Sequence, residues 1–244
     1  MNYSIVGFPD PLYERSRFMY FDWTIILILP GLILGLWAQA RVKSTFEKYR
    51  KIHTQHGVPS QELVRQMLSR QGVVDIAISP TEGTLSDHYD PSSNTLRLSQ
   101  GVYGSDSVSA IGIAAHEAGH ALQKEQGYGP LVIRSVMMPA VSIGSNLAWP
   151  IFMLGIIFSW KPLMYAGIAA FAAAVVFSLI TLPVEFDASR RANQMLSESG
   201  YFTQEELSGV RKVLNAAALT YVASFISTLM QLLRLILIAR RRND

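Results

Sequence analysis

The sequence predicts a mainly α-helical integral membrane protein that carries a small β-sheet. Half of its 244 residues are hydrophobic and only 16% are charged, whereas about a quarter of the residues in soluble domains are charged. Four stretches are apolar over roughly the 20 residues that a helix needs to cross a bilayer. A polar block between the first two contains short runs of β-branched residues, which favour a few strands. About four transmembrane helices and one small sheet are therefore expected.

The four apolar stretches differ in character. Residues 23–40 form a retained anchor, because no small-residue cleavage site follows them as it would in a signal peptide. Residues 131–184 contain two spans that form a hairpin. Residues 213–239 include Arg234 and other polar residues, so this helix either spans the membrane or lies on its surface.

These spans divide the chain into seven segments. In order, they are an N-terminal segment (1–22), the first span (23–40), a polar block (41–130), the hairpin of spans two and three (131–184), a short polar segment (185–212), the fourth helix (213–239) and a basic tail (240–244).

Helix signals occur throughout the polar segments. Residues 41–56 form a basic helical stretch, and Ser60 is expected to cap a short helix that ends at Arg70. The cluster 105–107 caps a helix over residues 108–123. Thr203 and Glu206 have the spacing of a capping box, which begins the helix that runs into the fourth apolar stretch.

Strand signals lie between these helices. Residues 73–79 are dense in Val and Ile and are ended by Pro80, so they predict one strand. Residues 90–94 have turn chemistry. Residues 95–99 alternate apolar and polar side chains with a period of two, as a half-exposed strand does.

The most informative motif is His116-Glu117-Ala118-Gly119-His120. Two His side chains at i and i+4 of a helix lie on one face, and both can bind a single zinc ion about 2.0–2.1 Å away. Glu117 is expected to face the water beside that metal. A solvated helix face is the alternative, but the neighbours are small and apolar, and unpaired imidazoles inside such a helix are costly.

A catalytic zinc site needs a third protein ligand, and no His follows His120. The other histidines are predicted to lie on the basic helix or in a turn: His53, His56 and His88. Glu185 directly follows the third apolar stretch, where a carboxylate is costly unless it binds or pairs with something. It is the predicted ligand, and the alternative is a salt bridge from Glu185 or Asp187 to Arg190 or Arg191.

Asp187 is expected to support the site without touching the metal. It lies two positions after Glu185 and therefore on a different helix face, so both carboxylates are not expected to bind one ion. We predict that Asp187 orients a ligand histidine by accepting the free ring N–H.

With these residues the chain resembles the gluzincin membrane metallopeptidases, and above all the YugP-type neutral zinc metallopeptidases of bacteria. In that family an HEAGHA helix and a later VEFDAS-like motif recur, here at residues 116–121 and 184–189. The resemblance covers nearly the whole chain. It implies a gluzincin-like catalytic core on about four transmembrane helices, in a multi-pass protein of the bacterial cell membrane.

The chain is more distantly similar to the HtpX and CAAX prenyl protease group. That group places an Asp four residues after its glutamate ligand, where it holds a zinc-bound histidine. This chain has Ser189 at that position.

The residues predict a membrane-anchored endopeptidase that binds one Zn²⁺ per chain and acts on a protein or peptide. A zinc-activated water attacks the scissile carbonyl, and Glu117 takes its proton and then delivers it to the leaving amine. Candidate oxyanion donors are His88, Tyr89 and Tyr103. Strand 95–99 either binds an extended peptide by strand addition or is an ordinary hairpin strand.

Two other functions compete. A site-2-type intramembrane protease would need the motif inside a span, but Asp106 and Lys124 bracket a helix that is too short and too polar at its ends. A non-enzymatic scaffold or assembly factor with a structural or vestigial metal site is the alternative from a different class.

The topology follows from the even number of spans between the motif and Glu185, which places both polar segments on one side of the bilayer. More Lys and Arg residues flank the span ends on that side than on the other, which predicts a cytoplasmic site. The basic residues 240–242 argue against this if the fourth helix crosses. The net charge of +3 arises at span ends and does not indicate nucleic-acid binding, and a chain without Cys forms no disulfide.

Overall fold

The computed structural model describes residues 23–241. The predicted N-terminal segment, residues 1–22, and the end of the predicted basic tail, residues 242–244, lie outside the described residues.

The described chain contains six α-helices and three short strands. After a 3₁₀ helix, Trp23–Leu27, the elements are α1 (Ile28–Arg50), α2 (Ser60–Arg70), β1 (Ala77–Thr81), β2 (His88–Asp90), β3 (Thr95–Ser99), α3 (Val108–Glu125), α4 (Gly129–Ile157), α5 (Lys161–Ser199) and α6 (Gln204–Arg241).

Four of these helices are long and apolar enough to cross a membrane: α1 with its 3₁₀ extension, α4, α5 and α6. Many of their large apolar side chains point outward, such as Ile33, Val136 and Ile143, which are 64%, 75% and 64% exposed. Outward apolar faces of this extent suit contact with lipid tails. The predicted fold class, a mainly α membrane protein with a small sheet, is confirmed.

The fourth long helix, α6, packs against the first, α1. Gly31 of α1 packs against Ser227 of α6, where an added Cβ would come within 2.8 Å of the Ser227 Cα. Further along, Arg234 Nε donates to Thr24 Oγ1 at 3.4 Å. Helix α6 therefore packs alongside the apolar part of α1, and it is one of the four helices that are long and apolar enough to span.

Helix α5 joins two segments that the sequence separated. The third span was predicted to end before Glu185, with a new helix beginning there. Instead one 39-residue helix runs from Lys161 to Ser199 with Pro183 inside it. A proline removes one backbone donor but does not end a helix that its neighbours hold in place, and α5 packs against both α4 and α6. Glu185 is therefore rigidly tied to the third span.

The sheet has the strand order β1-β3-β2, with β1 parallel and β2 antiparallel to β3. The prediction that residues 95–99 are half-exposed was wrong, because β3 is the central strand and only Arg97 is not buried. Strand addition to β3 is excluded for the same reason, since both of its edges are already paired. Strand β1 begins later than predicted and includes Pro80, which an edge strand tolerates.

Two of the four predicted helix signals differ in the structure, and a third is confirmed. The basic stretch 41–56 is helical only to Arg50, after which Thr54 N–H donates to Asp106 O at 3.1 Å and redirects the chain. Ser60 begins α2 but does not cap it, because its hydroxyl donates to Val102 O at 2.6 Å. The capping box is confirmed, since Thr203 N–H donates to Glu206 and Glu206 N–H to Thr203 Oγ1.

Helix α3 runs through the middle of the larger core and is buried along most of its length. It begins as predicted with Ser107, whose hydroxyl accepts the N–H of Ala110 at 3.3 Å. It packs against α2, α5 and α6. The closest approach to α5 is at Gly119, where an added Cβ would lie 2.4 Å from the carbonyl oxygen of Ala188.

Replacement of Gly119 by Ala should therefore push α3 away from α5. We expect Gly119→Ala to lower the free energy of unfolding by about 1–3 kcal/mol, the usual cost of overpacking, and to lower the thermal midpoint of the purified protein in detergent. Gly144→Ala on α4 is the control, because an added Cβ there meets nothing within 4 Å. Equal midpoints for the two variants would contradict the close packing.

Candidate metal centre

Three side chains from two helices converge where α3 packs against α5. His116 Nε2 lies 3.2 Å and His120 Nε2 3.5 Å from Glu185 Oε2. Ligand atoms from all three residues lie within 4.8 Å of one another. Two ligands that each lie about 2.0–2.1 Å from a tetrahedral zinc ion are separated by about 3.4 Å. The donor set and its spacing therefore fit one zinc ion.

The orientation of His120 is fixed by a residue that the sequence analysis missed. Gln123 donates through Nε2 to Val184 O at 2.8 Å and to Asp187 Oδ2 at 2.9 Å. These two acceptors determine which end of the amide is the nitrogen, so Gln123 Oε1 is the atom 3.0 Å from His120 Nδ1. Since that oxygen can only accept, Nδ1 carries the proton, and the Nε2 lone pair of His120 is free to bind a metal.

His116 is held in a similar way by Ser189, whose Oγ lies 3.1 Å from His116 Nδ1. Ser189 follows Glu185 by four residues and therefore lies on the same face of α5. This is the position at which the HtpX group carries its histidine-holding Asp. The i+4 spacing from Glu185 was the signal that could have identified Ser189, as the i+3 spacing from His120 could have identified Gln123.

Asp187 touches neither histidine. Its carboxylate accepts from Gln123 and forms ion pairs with Arg190 and Arg191, the latter with an Nε–Oδ2 distance of 2.5 Å. For Asp187, the structure therefore shows the predicted alternative, a salt bridge to Arg190 and Arg191. Any effect of Asp187 on His120 passes through the amide of Gln123, which Asp187 helps to orient.

Glu185 has a different partner, Arg134 of α4. Arg134 Nη1 lies 2.9 Å from Glu185 Oε1, while the other oxygen faces the two histidines. Glu185 is 2% exposed, so this pairing satisfies a carboxylate that would otherwise be costly to bury. The second span therefore contributes to the site through a residue that no sequence pattern marked.

Glu117 is buried but is not one of the three converging residues. Its Oε2 accepts the backbone N–H of Tyr89 at 2.9 Å, so strand β2 holds the carboxylate in place. His88 lies on the same strand and lines the adjoining cavity. The Tyr89 hydroxyl instead binds Asn94 Oδ1 at 2.5 Å, away from the converging residues.

Two cavities meet at Glu117. The larger, of about 710 Å³, lies between β2 and the first turns of α4 and reaches His120, Arg134 and Glu185. The smaller, of about 180 Å³, is mainly apolar and lies between α1, α3 and α6. Tyr221 of α6 lines both. The converging residues are therefore open to a molecule much larger than water.

The electrostatic environment favours a cation. Burial lowers the pKa of His120, but the hydrogen bond to Glu185 and the charges of Glu117 and Glu185 outweigh it, so this pKa is raised. Burial also raises the pKa of Asp87 beside Glu117, although Ser99 donates two hydrogen bonds to its carboxylate. Acidic groups around an imidazole pair create a negative potential that a bound metal ion would neutralise.

Comparison with known proteins gives two matches. The family model described as "Putative neutral zinc metallopeptidase" matches residues 24–240. The chain is 46% identical over 220 residues to the "Putative membrane protease YugP" of Bacillus subtilis (strain 168), a match that covers 90% of this chain and 98% of that protein. No solved structure matches the chain.

Gln123→Met should weaken zinc binding, because methionine fills a similar volume but cannot accept the His120 Nδ1 proton. Loss of such an outer hydrogen bond usually costs about 10–100-fold in metal affinity. Competition with a zinc chelator, followed by elemental analysis of the protein, measures this affinity without any activity assay.

Gln194→Met provides the matched control, since Gln194 is an exposed residue of α5 that bonds only to the nearby Glu198 among the contacts described. If both variants kept the zinc affinity of the unaltered protein, the role assigned to Gln123 would be wrong.

Proposed function

The chain belongs to the neutral zinc metallopeptidase family, and we propose that it is a membrane-anchored, zinc-dependent endopeptidase. His116, His120 and Glu185 would hold one zinc ion per chain. The observation that carries the proposal is the geometry of these residues, in which three donors at zinc-ligand spacing lie beside two cavities that meet at Glu117.

A bound zinc ion would supply a Lewis acid that polarises the scissile carbonyl and makes water a nucleophile at neutral pH. Three protein ligands are the number found in catalytic zinc sites, which leave a coordination position for water or substrate. Within residues 23–241, no fourth His, Asp or Glu belongs to the group. The donor set thus supports a catalytic metal over a closed structural one.

The protein's own contribution to the chemistry is centred on Glu117. The Tyr89 N–H fixes its Oε2, so Oε1 remains available to accept a proton from the attacking water and to return it to the leaving amine. Burial of the carboxylate excludes bulk water from that proton transfer. Arg134 acts on the opposite side, where it holds Glu185 Oε1 and leaves Oε2 to face the histidines.

The position of strand β2 suggests how a peptide is held. Residues 87–92 line the larger cavity, and β2 pairs with β3 on one side only. A substrate backbone lying along the free edge of β2 would pass Glu117 and His120, and strand addition is a common way to bind an extended peptide. Strand addition, which the sequence offered as one of two alternatives for residues 95–99, therefore belongs in this proposal to the edge strand β2.

The competing functions find less support in the structure. The motif helix α3 is not one of the four candidate spans and follows directly on the sheet, which does not suit a site-2-type intramembrane protease. A scaffold with a vestigial metal site would have no need for a carboxylate held at the edge of a 710 Å³ cavity. Replacement of Glu117 by Gln separates an enzyme from a scaffold directly.

Glu117→Gln should keep the fold and the zinc but lose peptide hydrolysis by about 10²–10⁴-fold, because the amide cannot accept the proton of water. The measurement is cleavage of a defined peptide by purified protein, with zinc content determined on the same sample. Glu125→Gln, an exposed change at the end of the same helix, should leave turnover unchanged. Near-normal turnover by Glu117→Gln would rule out the proposed mechanism.

We also propose that the metal centre faces the cytoplasm. Arg41, Lys51 and Lys212 are among the basic residues at the span ends on the side of the metal centre, and the positive-inside rule places such residues in the cytoplasm. Arg240 and Arg241, at the far end of α6, lie on the other side, where fewer basic residues flank the spans.

Single cysteines in this Cys-free chain can test the orientation with an impermeant thiol reagent on intact cells. Ser92 and Ser197 are exposed on the side of the metal centre, and Ser159 is exposed between α4 and α5 on the other side. We expect labelling of Ser159→Cys and protection of Ser92→Cys and Ser197→Cys until the cells are permeabilised. The reverse pattern would place the site outside the cell. Labelling of only one of Ser92→Cys and Ser197→Cys would contradict the prediction that both polar segments lie on one side of the bilayer.

A further inference from the structure

A third cavity lies apart from the metal centre, in a cleft between α1 and α6. It has a volume of about 450 Å³ and shares no lining residue with the two cavities that meet at Glu117. Helix α1 contributes Arg41, Ser44 and Lys48 to its wall, and α6 contributes Lys212 and Asn215. The cavity therefore joins the ends of two membrane-spanning helices.

The charge of this cavity is uncompensated. Arg41, Lys48 and Lys212 line it, and none of the described residues that line it is acidic. No salt bridge among residues 23–241 involves any of these three side chains, and the nearby Glu47 pairs with Arg50 at 3.6 Å. Three cations in one concave site repel one another, so an anion that binds all three would relieve that repulsion.

The depth of the cavity in the membrane indicates which anion. Arg41 is the first residue after the apolar stretch 23–40, and Lys212 immediately precedes the apolar stretch 213–239. The cations therefore lie where two spans leave the hydrocarbon layer. Ala216 and Leu219 continue the wall of the cavity into the apolar part of α6. A cationic mouth above an apolar wall matches a phospholipid. Its phosphate would lie at the mouth, among the cations, and its acyl chains would lie along the apolar wall.

We propose that this cavity binds the headgroup phosphate of an anionic phospholipid. Arg41, Lys48 and Lys212 contact the phosphate oxygens, and Asn215 donates a hydrogen bond to the headgroup. Basic pockets between membrane-spanning helices are known sites for anionic headgroups. Such a lipid would tie α1 to α6 beside Val42 and Val213, which line the smaller cavity at Glu117.

The test uses the full-length protein in nanodiscs made of phosphatidylcholine with or without phosphatidylglycerol. Lipids that remain bound are counted by native mass spectrometry. We expect preferential retention of phosphatidylglycerol, and a fall in that preference in the triple variant Arg41→Gln, Lys48→Gln, Lys212→Gln. Each basic residue near the membrane surface contributes about fivefold to the binding of an anionic lipid, so single variants should show graded losses.

The matched control removes the same charge from the same region, through Lys43→Gln, Lys51→Gln and Arg211→Gln. These residues are exposed and do not line the cavity. The control should keep the preference for phosphatidylglycerol. Equal losses in the two triple variants would show a general surface attraction and overturn the site.

A soluble phosphate is the other source of the same chemistry, and a separate arm distinguishes it. Inorganic phosphate should raise the thermal midpoint of the protein in neutral detergent much less than phosphatidylglycerol does at the same concentration. An equal effect that depends on Arg41, Lys48 and Lys212 would assign the cavity to a soluble anion instead. The comparison of phosphatidylglycerol with phosphatidylcholine uses the unaltered protein and needs no variant. If that protein retained the two lipids equally, the proposal would be refuted.

Discussion

The close packing of α3 against α5 is the contact on which the rest of the site depends. His116 and His120 belong to a helix of the polar block, whereas Glu185 belongs to a membrane-spanning helix, and the three meet only because the two backbones come together at Gly119 and Ala188. An added Cβ at position 119 would lie 2.4 Å from the carbonyl oxygen of Ala188, so the two helices would have to move apart. The Ala and Gly residues inside the motif allow this packing, and the proposed function assigns the chemistry to the His and Glu residues between them.

A buried polar network makes this contact specific. Gln123 lies between the two helices and bonds at once to His120 on α3 and to Val184 and Asp187 on α5. Each of these bonds constrains the others, because the amide can be oriented in only one way. A network of this kind holds ligands in position before a metal arrives, which reduces the reorganisation that metal binding requires.

The membrane helices do more than anchor the site. The span α4 supplies Arg134 to Glu185, α5 supplies Glu185 itself, and α6 supplies Tyr221 to both cavities. The larger cavity is bounded by a strand on one side and by a span on the other, so a peptide bound there would lie close to the bilayer surface. The cationic cleft between α1 and α6 lies at the same boundary, so the proposed lipid and the proposed substrate would meet the protein at one level.

The sequence alone determined the fold class and three residues that converge in the structure. Hydropathy is a local property, so it identified the four spans, and the i, i+4 spacing of two histidines is local to one helix turn. Glu185 could be proposed because an acidic residue next to a span needs a partner. The continuity of α5 through Pro183, the central position of β3, and the partners Gln123, Ser189 and Arg134 were decided only by the tertiary structure. Each depends on contacts between residues far apart in the chain, and no local pattern records which elements will pack together.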